Sequence, residues 1–362
     1  MFKPVSPLLL WLLLLSMTTA PPAWAQSEVS VGGHVVGTIH SGGDIDIVVQ
    51  GLADPESETA VSETTVFHIA SLSKQITAAV LARAILDGRV SLDDSVADTI
   101  PELSHYGPDL IVAHLLYFTS GLTEAYSLPR PGNIPWSTHY YFTVDQTIQA
   151  SVSVPELQFE PGTAWQYNNI NFQLIAELVE RTYGQNFGEL VDEWIFSPLG
   201  MDASLINDDI TVAVRNRAVG VVPRIAPVIE QLRSTGVDAS PEGGPIIIQR
   251  NAPHYGGSGV LSSMRDWMKW QEEMLSREVF GDEFWDLMFS TREFEHDKSN
   301  DAFGLVHGRY QGVATLWFAG SDIDGTSYMI ASPERGIATA CFSNNPLFNC
   351  QGEAIRAFEA EL

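Results

Sequence analysis

Strand-like segments lie at both ends of this 362-residue chain, and helical segments lie between them. Apolar residues alternate on both sides of a Ser41-Gly42-Gly43-Asp44 turn, which predicts two strands over residues 31–51. This order favours an α/β or α+β body that holds an inserted helical region. Further strands are predicted within 303–306, 313–318, 327–331 and 337–342, helices at 72–87, 110–117, 170–183, 264–276 and 351–362, and loops over 206–256.

The first 25 residues have the pattern of a secretory signal peptide. Lys3 gives a short basic start, Leu8–Leu15 is an apolar run, and Ala23-Trp24-Ala25 is a small-x-small cleavage site. The apolar run is too short to anchor the chain in a membrane, and no later stretch is long enough to span one. We therefore expect cleavage near Ala25 and a secreted or periplasmic mature chain without an integral membrane segment.

The charge of the chain restricts its partners. Forty-five acidic and nineteen basic residues give a formal net charge of -26, and the acidic residues are spread along the sequence. Such a surface repels nucleic acid and anionic membranes, so neither is expected as a partner. The expected partner is therefore a small-molecule or peptide-like substrate. The sequence leaves the oligomeric state open.

Two cysteines, Cys341 and Cys350, lie close together in the sequence. An oxidising compartment would permit a disulfide between them, with a gain of about 2–3 kcal/mol for so short a loop. The alternative is a buried free Cys341 on a core strand and an unrelated Cys350. Two cysteines without a neighbouring histidine do not make a zinc site, and neither a metal nor another cofactor is expected.

Ser71 and Lys74 form the strongest chemical candidate. Their spacing of three residues at the start of a predicted helix puts both side chains on one face. A serine alcohol becomes a good nucleophile only when a nearby base takes its proton. Lys74 can serve as that base if burial lowers its pKa, and a nearby carboxylate would work against that shift.

Several segments, in this order, resemble landmarks of the serine β-lactamase and penicillin-binding-protein superfamily, and are most similar to its class C β-lactamase and family VIII esterase branch. They are Phe67–Ala78 around the nucleophile, Asp87–Asp94, Leu115–Leu122, Phe159–Thr163 with Tyr167-Asn168-Asn169, and Ser197–Met201. The resemblance implies an antiparallel sheet flanked by helices. It also implies one catalytic domain over 26–362, with an α/β part at about 26–100 and 257–362 and a helical part at about 101–256.

The resemblance also implies roles for the second motif. Tyr167 would share acid/base work with Lys74 and pass the proton to the leaving group. Asn169 would orient Lys74 and the acyl part of a substrate. A phenol beside an ammonium can act as a base, which explains the residue type at position 167.

The third motif departs from the family pattern. The family places Lys-Thr-Gly or His-x-Gly on a strand that lines the site, whereas this chain has Phe318-Ala319-Gly320-Ser321. Phe318 and Gly320 would contact the substrate, and the backbone N–H groups of Ser71 and Ser321 would form the oxyanion hole. In the family the missing cation helps to hold a substrate carboxylate, so its loss shifts the expectation towards neutral esters. His307 or Arg309 on the preceding strand could restore a positive charge.

These observations predict an exported serine hydrolase that forms an acyl-enzyme on Ser71 and acts first on esters. A β-lactamase or a D-amino-acid-specific peptidase is the alternative within the same chemistry. A non-catalytic binding protein that kept the fold is the rival class. The joint presence of Ser71, Lys74, Tyr167 and Asn169 argues against that rival, because a binding module does not need all four.

Overall fold

The computed structural model describes residues 31–124, 143–209, 211–234, 238–250, 255–294 and 300–362. The predicted signal peptide at 1–25 lies outside these residues. From Val31 to Leu362 the described chain packs as one unit.

The described strands form one large sheet and two small ones. In chain order the strands are β1 (Gly33–Ile39), β2 (Ile45–Asp54), β3 (Thr59–Ala60), β4 (Val66–His68), β5 (Leu205–Ile206), β6 (Val221–Val222), β7 (Ile246–Ile247), β8 (Val260–Ser263), β9 (Val306–Tyr310), β10 (Val313–Asp322), β11 (Gly325–Ser332) and β12 (Ile337–Ser343). The large sheet is antiparallel throughout, with the order β3-β2-β1-β12-β11-β10-β9. The small sheets have the orders β4-β8-β5 and β6-β7. The strands at both ends of the sequence thus join in one sheet, and the predicted fold class is confirmed.

Helices cover the large sheet, and most of them lie between β4 and β9 in the sequence. They are α1 (Ser73–Leu86), α2 (Val96–Thr99), α3 (Val112–Leu116), α4 (Val144–Val152), α5 (Asn169–Tyr183), α6 (Phe187–Val191), α7 (Ser197–Leu199), α8 (Ala226–Ser234), α9 (Met264–Ser276), α10 (Gly281–Met288) and α11 (Cys350–Glu359). None of the helices in these described ranges is both long and apolar enough to cross a bilayer.

The two faces of the large sheet are buried against different helices. Side chains alternate between the faces of a strand, so Val35 and Phe342 point to one side and Val36 and Cys341 to the other. Helix α9 packs on the first face, where Trp267 meets Phe342 edge-on, and α11 packs on the second. The sheet is therefore the middle layer of the fold.

Helix α1 lies in the centre of the larger core. Its middle is rich in alanine and fully buried, and it packs against α5 and α10. Small side chains let neighbouring backbones approach closely, so α1 is held on several sides. This matters for function because Lys74 lies in the first turn of α1.

The segment 206–256 contains more regular structure than the sequence predicts. Helix α8 and strands β6 and β7 form within a stretch that is expected to be loops. Pro227 lies in the first turn of α8, where its missing N–H costs nothing, and Ile229 is the residue that α8 buries most clearly. A single clearly buried position among the described side chains of α8 leaves too weak a periodic signal to reveal a helix in the sequence.

Candidate active site

Ser71 lies on a tight 3₁₀ turn, Ala70–Leu72, between β4 and α1. Ala70 has a φ of 48°, a left-handed conformation that costs energy for a residue with a Cβ and that occurs often at functional sites. Ser73 secures the turn, because its hydroxyl donates to the Ala70 carbonyl at 2.6 Å and accepts from the Val260 N–H at 3.0 Å. The turn presents Ser71 at the N-terminus of α1 while its neighbours Ala70 and Leu72 stay buried.

Lys74 is fully buried beneath Ser71. Its Nζ lies 3.3 Å from Ser71 Oγ, 2.8 Å from Asn169 Oδ1 and 2.6 Å from the Gly257 carbonyl oxygen. Three acceptors match the three hydrogens of an ammonium, so the position of Nζ is fixed.

Burial lowers the pKa of Lys74 from 10.5 to about 7. The charge of Glu124 opposes this shift, Arg250 adds to it, and Asp322 opposes it. Desolvation dominates because an ammonium without water is costly. A lysine with a pKa near 7 is neutral for a large fraction of the time at neutral pH and can accept a proton from Ser71.

Tyr167 and Asn169 reach the same point from the segment that leads into α5. Tyr167 Oη lies 2.8 Å from Ser71 Oγ, and Lys74 Nζ lies 4.8 Å from the centre of the Tyr167 ring. The Tyr167 ring stacks on Phe118 at 4.9 Å. Asn168 caps α5 by accepting from the Ile170 N–H, which directs Asn169 into the site.

Glu124 is a site residue that sequence reasoning missed. Its two carboxylate oxygens accept hydrogen bonds from the backbone N–H and the side-chain amide of Asn169, at 2.8 and 3.0 Å. These bonds turn the amide oxygen of Asn169 towards Lys74. The sequence signal was present, since Glu124 follows the Thr119-Ser120-Gly121-Leu122 landmark, but only the fold shows its partner.

The third motif lies on β10 beside the nucleophile turn. A Cβ at Gly320 would lie 3.0 Å from the Ser71 backbone nitrogen and 2.3 Å from Ser327 Oγ, so only glycine fits. Strand β9 pairs with β10 only as far as Trp317. The rest of β10, which has no β9 partner, contains Gly320 and the exposed Ser321. The structure thus places Gly320 against Ser71, with Ser321 next in the strand.

Phe318, two residues before Gly320 on β10, is mostly buried. Its side chain is 6% exposed and packs in the larger core, which leaves little surface for a substrate. The two candidate cations on β9 make other contacts. The His307 ring lies 2.7 Å from the Phe289 carbonyl oxygen, and Arg309 donates to the Gly312 carbonyl.

Cys341 and Cys350 form a disulfide with a Cα–Cα distance of 5.2 Å. It joins β12 to the first residue of α11, within the smaller core on the far face of the sheet. The pairing that the sequence permits is therefore present, and it strengthens the layer behind the site.

Comparisons with known proteins identify the family of the chain. A family model described as Beta-lactamase matches residues 25–361. The chain belongs to the beta-lactamase family. The resemblance drawn from the sequence motifs is thereby confirmed.

Curated relatives of this beta-lactamase-family chain have several activities. A D-aminopeptidase from Gluconobacter oxydans is 29% identical over 190 residues, which are 51% of this chain and 35% of the relative. The esterase EstB from Burkholderia gladioli is 34% identical over 163 residues, which are 42% of this chain and 41% of the relative. The matches thus span well under half the length of these relatives.

Solved structures share the fold over most of the chain. The D-amino acid amidase from Ochrobactrum anthropi, solved with D-phenylalanine, aligns with a TM-score of 0.72 at 20% identity, over 92% of this chain and 95% of that protein. An octameric penicillin-binding protein homologue from Pyrococcus abyssi aligns with a TM-score of 0.77 at 21% identity, over 93% and 75%. At these identities the likeness shows the beta-lactamase-family fold alone.

Proposed function

We propose that this chain is an exported serine hydrolase that forms an acyl-enzyme on Ser71 and acts on esters. The observation that carries the proposal is the convergence of Lys74 Nζ and Tyr167 Oη on Ser71 Oγ, with a pKa near 7 for the buried lysine. A partly neutral amine and a phenol that can relay a proton lie within reach of one alcohol, which is the arrangement that activates a serine.

The geometry supports a two-step reaction. The Ser71 hydroxyl passes its proton to neutral Lys74, or to Tyr167 in its phenolate form, as Oγ bonds to the ester carbonyl carbon, and the carbonyl oxygen becomes an oxyanion. Tyr167 then gives a phenol proton to the leaving alcohol as the ester C–O bond breaks, and where Lys74 was the base its ammonium restores the proton of Tyr167. Water next attacks the acyl group on Ser71, its proton passes through the same groups, and the acid is released.

Two backbone N–H groups would stabilise the oxyanion. We assign them to Ser71 and Ser321, since Gly320 lets β10 lie directly against the Ser71 backbone nitrogen. The N-terminus of α1 adds a favourable field for negative charge.

The electrostatics of the site favour a neutral ester over a carboxylate-bearing substrate. Phe318 stands where the family has a cation on this strand. Arg250, a cation close enough to influence Lys74, already bonds the Asp322 carboxylate at 2.7 Å. Esterase EstB, with 34% identity over its matched part, is consistent with this substrate class.

A D-amino-acid peptide is the second candidate, and Glu124 is the observation that favours it. The carboxylate of Glu124 gives the site a charge opposite to the ammonium of an amino-acid substrate. The D-aminopeptidase from Gluconobacter oxydans is among the relatives.

The test compares substrates on one enzyme. Mature protein is given p-nitrophenyl butyrate, D-alanine p-nitroanilide, a chromogenic cephalosporin and a fluorophosphonate probe, beside Ser71→Ala and the exposed-turn control Ser57→Ala. We expect the highest kcat/KM with the ester, a loss of at least about a thousandfold in Ser71→Ala, and no change in Ser57→Ala.

Each other outcome has a defined meaning. Faster turnover of the anilide or the cephalosporin overturns the ester assignment and keeps the hydrolase. Turnover that survives in Ser71→Ala overturns the mechanism. Absence of both turnover and labelling in the wild type overturns the enzyme and leaves the binding protein.

Export is tested separately. The pattern at residues 1–25 supports a cleaved leader. In a bacterial host we expect protein recovered outside the cytoplasm to begin at Gln26 by N-terminal sequencing. Protein found only in the cytoplasm with Lys3 still present would refute this part of the proposal.

A further inference from the structure

A buried cluster of charged side chains lies behind the nucleophile turn. His68 Nδ1 lies 2.9 Å from Asp324 Oδ1, and His68 Nε2 lies 3.2 Å from Arg250 Nη1. The same Nη1 lies 2.7 Å from Asp322 Oδ2 and donates to Ser258 Oγ. The side chains of His68, Asp324 and Arg250 are each at most 6% exposed, so water does not solvate their charges.

The acceptors in this cluster restrict its hydrogens. The Asp324 carboxylate can only accept, so His68 Nδ1 carries the hydrogen between them. Arg250 Nη1 has two hydrogens and three neighbours, so it shares them among Asp322, Ser258 and His68 Nε2. The other Asp324 oxygen accepts from the Arg250 backbone N–H at 3.0 Å. Burial acts to raise the pKa of Asp324, but His68 and Arg250 outweigh it and the pKa is lowered.

Each part of the cluster adjoins a different wall of the site. His68 ends β4, just before the turn that holds Ser71. Ser258 follows Gly257, whose carbonyl accepts from Lys74. Asp322 ends β10, two residues after Gly320. The guanidinium of Arg250 therefore bonds side chains from all three walls.

We propose that Arg250 is a positioning residue, with Asp322 as its counter-ion, that holds the Gly257 carbonyl and the end of β10 against Ser71 and sets the charge environment of Lys74. The proposal rests on the proposed function, because it concerns how that site is assembled. It does not require Arg250 to touch a substrate. The planar fork of a guanidinium suits this role, because it holds Nη1, which makes these three side-chain contacts, at a fixed angle between the walls.

The effect of Arg250 and Asp322 on the pKa of Lys74 has a sign that can be measured. Among the described residues, four groups face Lys74 from the elements packed around it. They are Glu124 after α3, the Tyr167 phenol before α5, Arg250 before β8 and Asp322 at the end of β10. Arg250 lowers the pKa of Lys74, whereas Asp322 raises it. Removing one charge or the other must therefore move the pKa in opposite directions, which a loss of packing alone would not do.

The Lys74 titration can be followed directly. The sequence has four lysines, Lys3, Lys74, Lys269 and Lys298, so protein labelled with ¹³Cε-lysine gives few NMR signals, and Lys74→Met assigns the one of interest. The titration is recorded in wild type, Arg250→Met, Asp322→Asn, the double variant and Arg250→Lys. The pH dependence of kcat/KM for p-nitrophenyl butyrate is measured on the same proteins.

We expect the Lys74 titration and the acid limb of kcat/KM to move to higher pH in Arg250→Met and to lower pH in Asp322→Asn. Arg250→Lys keeps the charge but loses the fork, so its limb stays in place while kcat/KM falls roughly ten- to a hundredfold. The double variant removes Arg250 and Asp322 together, so neither is left as an unpaired buried charge. It can therefore be measured even if Arg250→Met alone does not fold. In the double variant the two shifts should largely cancel.

Shifts of the same sign in both single variants, or none, overturn the proposal. Full kcat/KM in Arg250→Lys overturns the positioning role of the fork. The NMR titration separates these failures from failure of the proposed function. If the two variants shift the Lys74 pKa in opposite directions in a protein that neither hydrolyses the ester nor reacts with the fluorophosphonate, the role of the cluster stands and the hydrolase proposal is rejected.

Discussion

Replacing Lys74 with methionine should make the folded protein more stable at low pH than at high pH, relative to wild type. The folded chain releases the Lys74 proton near pH 7, whereas an unfolded lysine keeps it to about pH 10.5. Between these values the unfolded state binds more protons, so the stability of the wild type rises with pH. The burial of Lys74 therefore lowers the free energy of unfolding most below pH 7, where the folded protein must keep a charged ammonium buried.

The size of the effect follows from the two pKa values. The penalty for burying Lys74, relative to an unperturbed lysine, is about 5 kcal/mol at pH 6 and about 2 kcal/mol at pH 9. The methionine also leaves acceptors such as the Gly257 carbonyl without their donor, which costs the same at every pH. The prediction therefore concerns the change with pH. From pH 6 to pH 9, the free energy of unfolding of Lys74→Met minus that of wild type should fall by about 3 kcal/mol.

Guanidinium chloride unfolding at pH 6, 7, 8 and 9 measures this change. The free energy of unfolding of Lys74→Met minus that of wild type is plotted against pH. Lys269→Met, which removes a more exposed ammonium from α9, corrects for the loss of a lysine. A difference that stays flat from pH 6 to pH 9 would refute the lowered pKa, and with it the role of Lys74 as a neutral base.

Two further predictions concern the walls of the site. Gly320→Ala would place a methyl group 3.0 Å from the Ser71 nitrogen and 2.3 Å from a serine hydroxyl, so kcat/KM for an ester should fall about a hundredfold, while Gly244→Ala, with open space around it, leaves it unchanged. Equal rates for the two variants would contradict the close approach of β10. Replacing Cys341 and Cys350 together by alanine should lower the free energy of unfolding by at least about 2–3 kcal/mol without changing kcat/KM, and a loss of activity in protein that is still folded would contradict the separation of the disulfide from the site.

The fold could be predicted from the sequence where periodicity or an apolar run marks the element. The helix predicted at 264–276 is observed as Met264–Ser276, and that predicted at 72–87 as Ser73–Leu86. The strand predicted at 337–342 is observed as Ile337–Ser343. Helix α9 buries one face at the helical period, which is the periodic signal that a sequence carries, whereas α1 and β12 are apolar runs buried on all sides. Helix α8 lacks this signal and escaped prediction.

The site could be predicted where its residues are close in sequence or belong to recognisable motifs. The spacing of Ser71 and Lys74 predicted their contact, and the second motif predicted that Tyr167 would join them. Glu124 and Arg250 escaped because their partners lie far away in the chain, and only tertiary packing brings them together. The pKa of Lys74 is a similar case, because the sequence predicted that burial would lower it but only the packing around Nζ sets how far it falls.

The large sheet joins the two ends of the described chain, which affects when the molecule can form its site during synthesis. Ser343 Oγ donates to the Gly33 carbonyl across 310 positions, and Ser327 Oγ donates to the Ile69 carbonyl across 258. Contacts over such separations form late, because a long loop must close before they stabilise anything. A nascent chain thus carries its nucleophile long before strand β10 is made. A product truncated before β10 would hold Ser71 without the facing wall, so hydrolytic competence should appear only after β10 and the strands that pair with it have been translated.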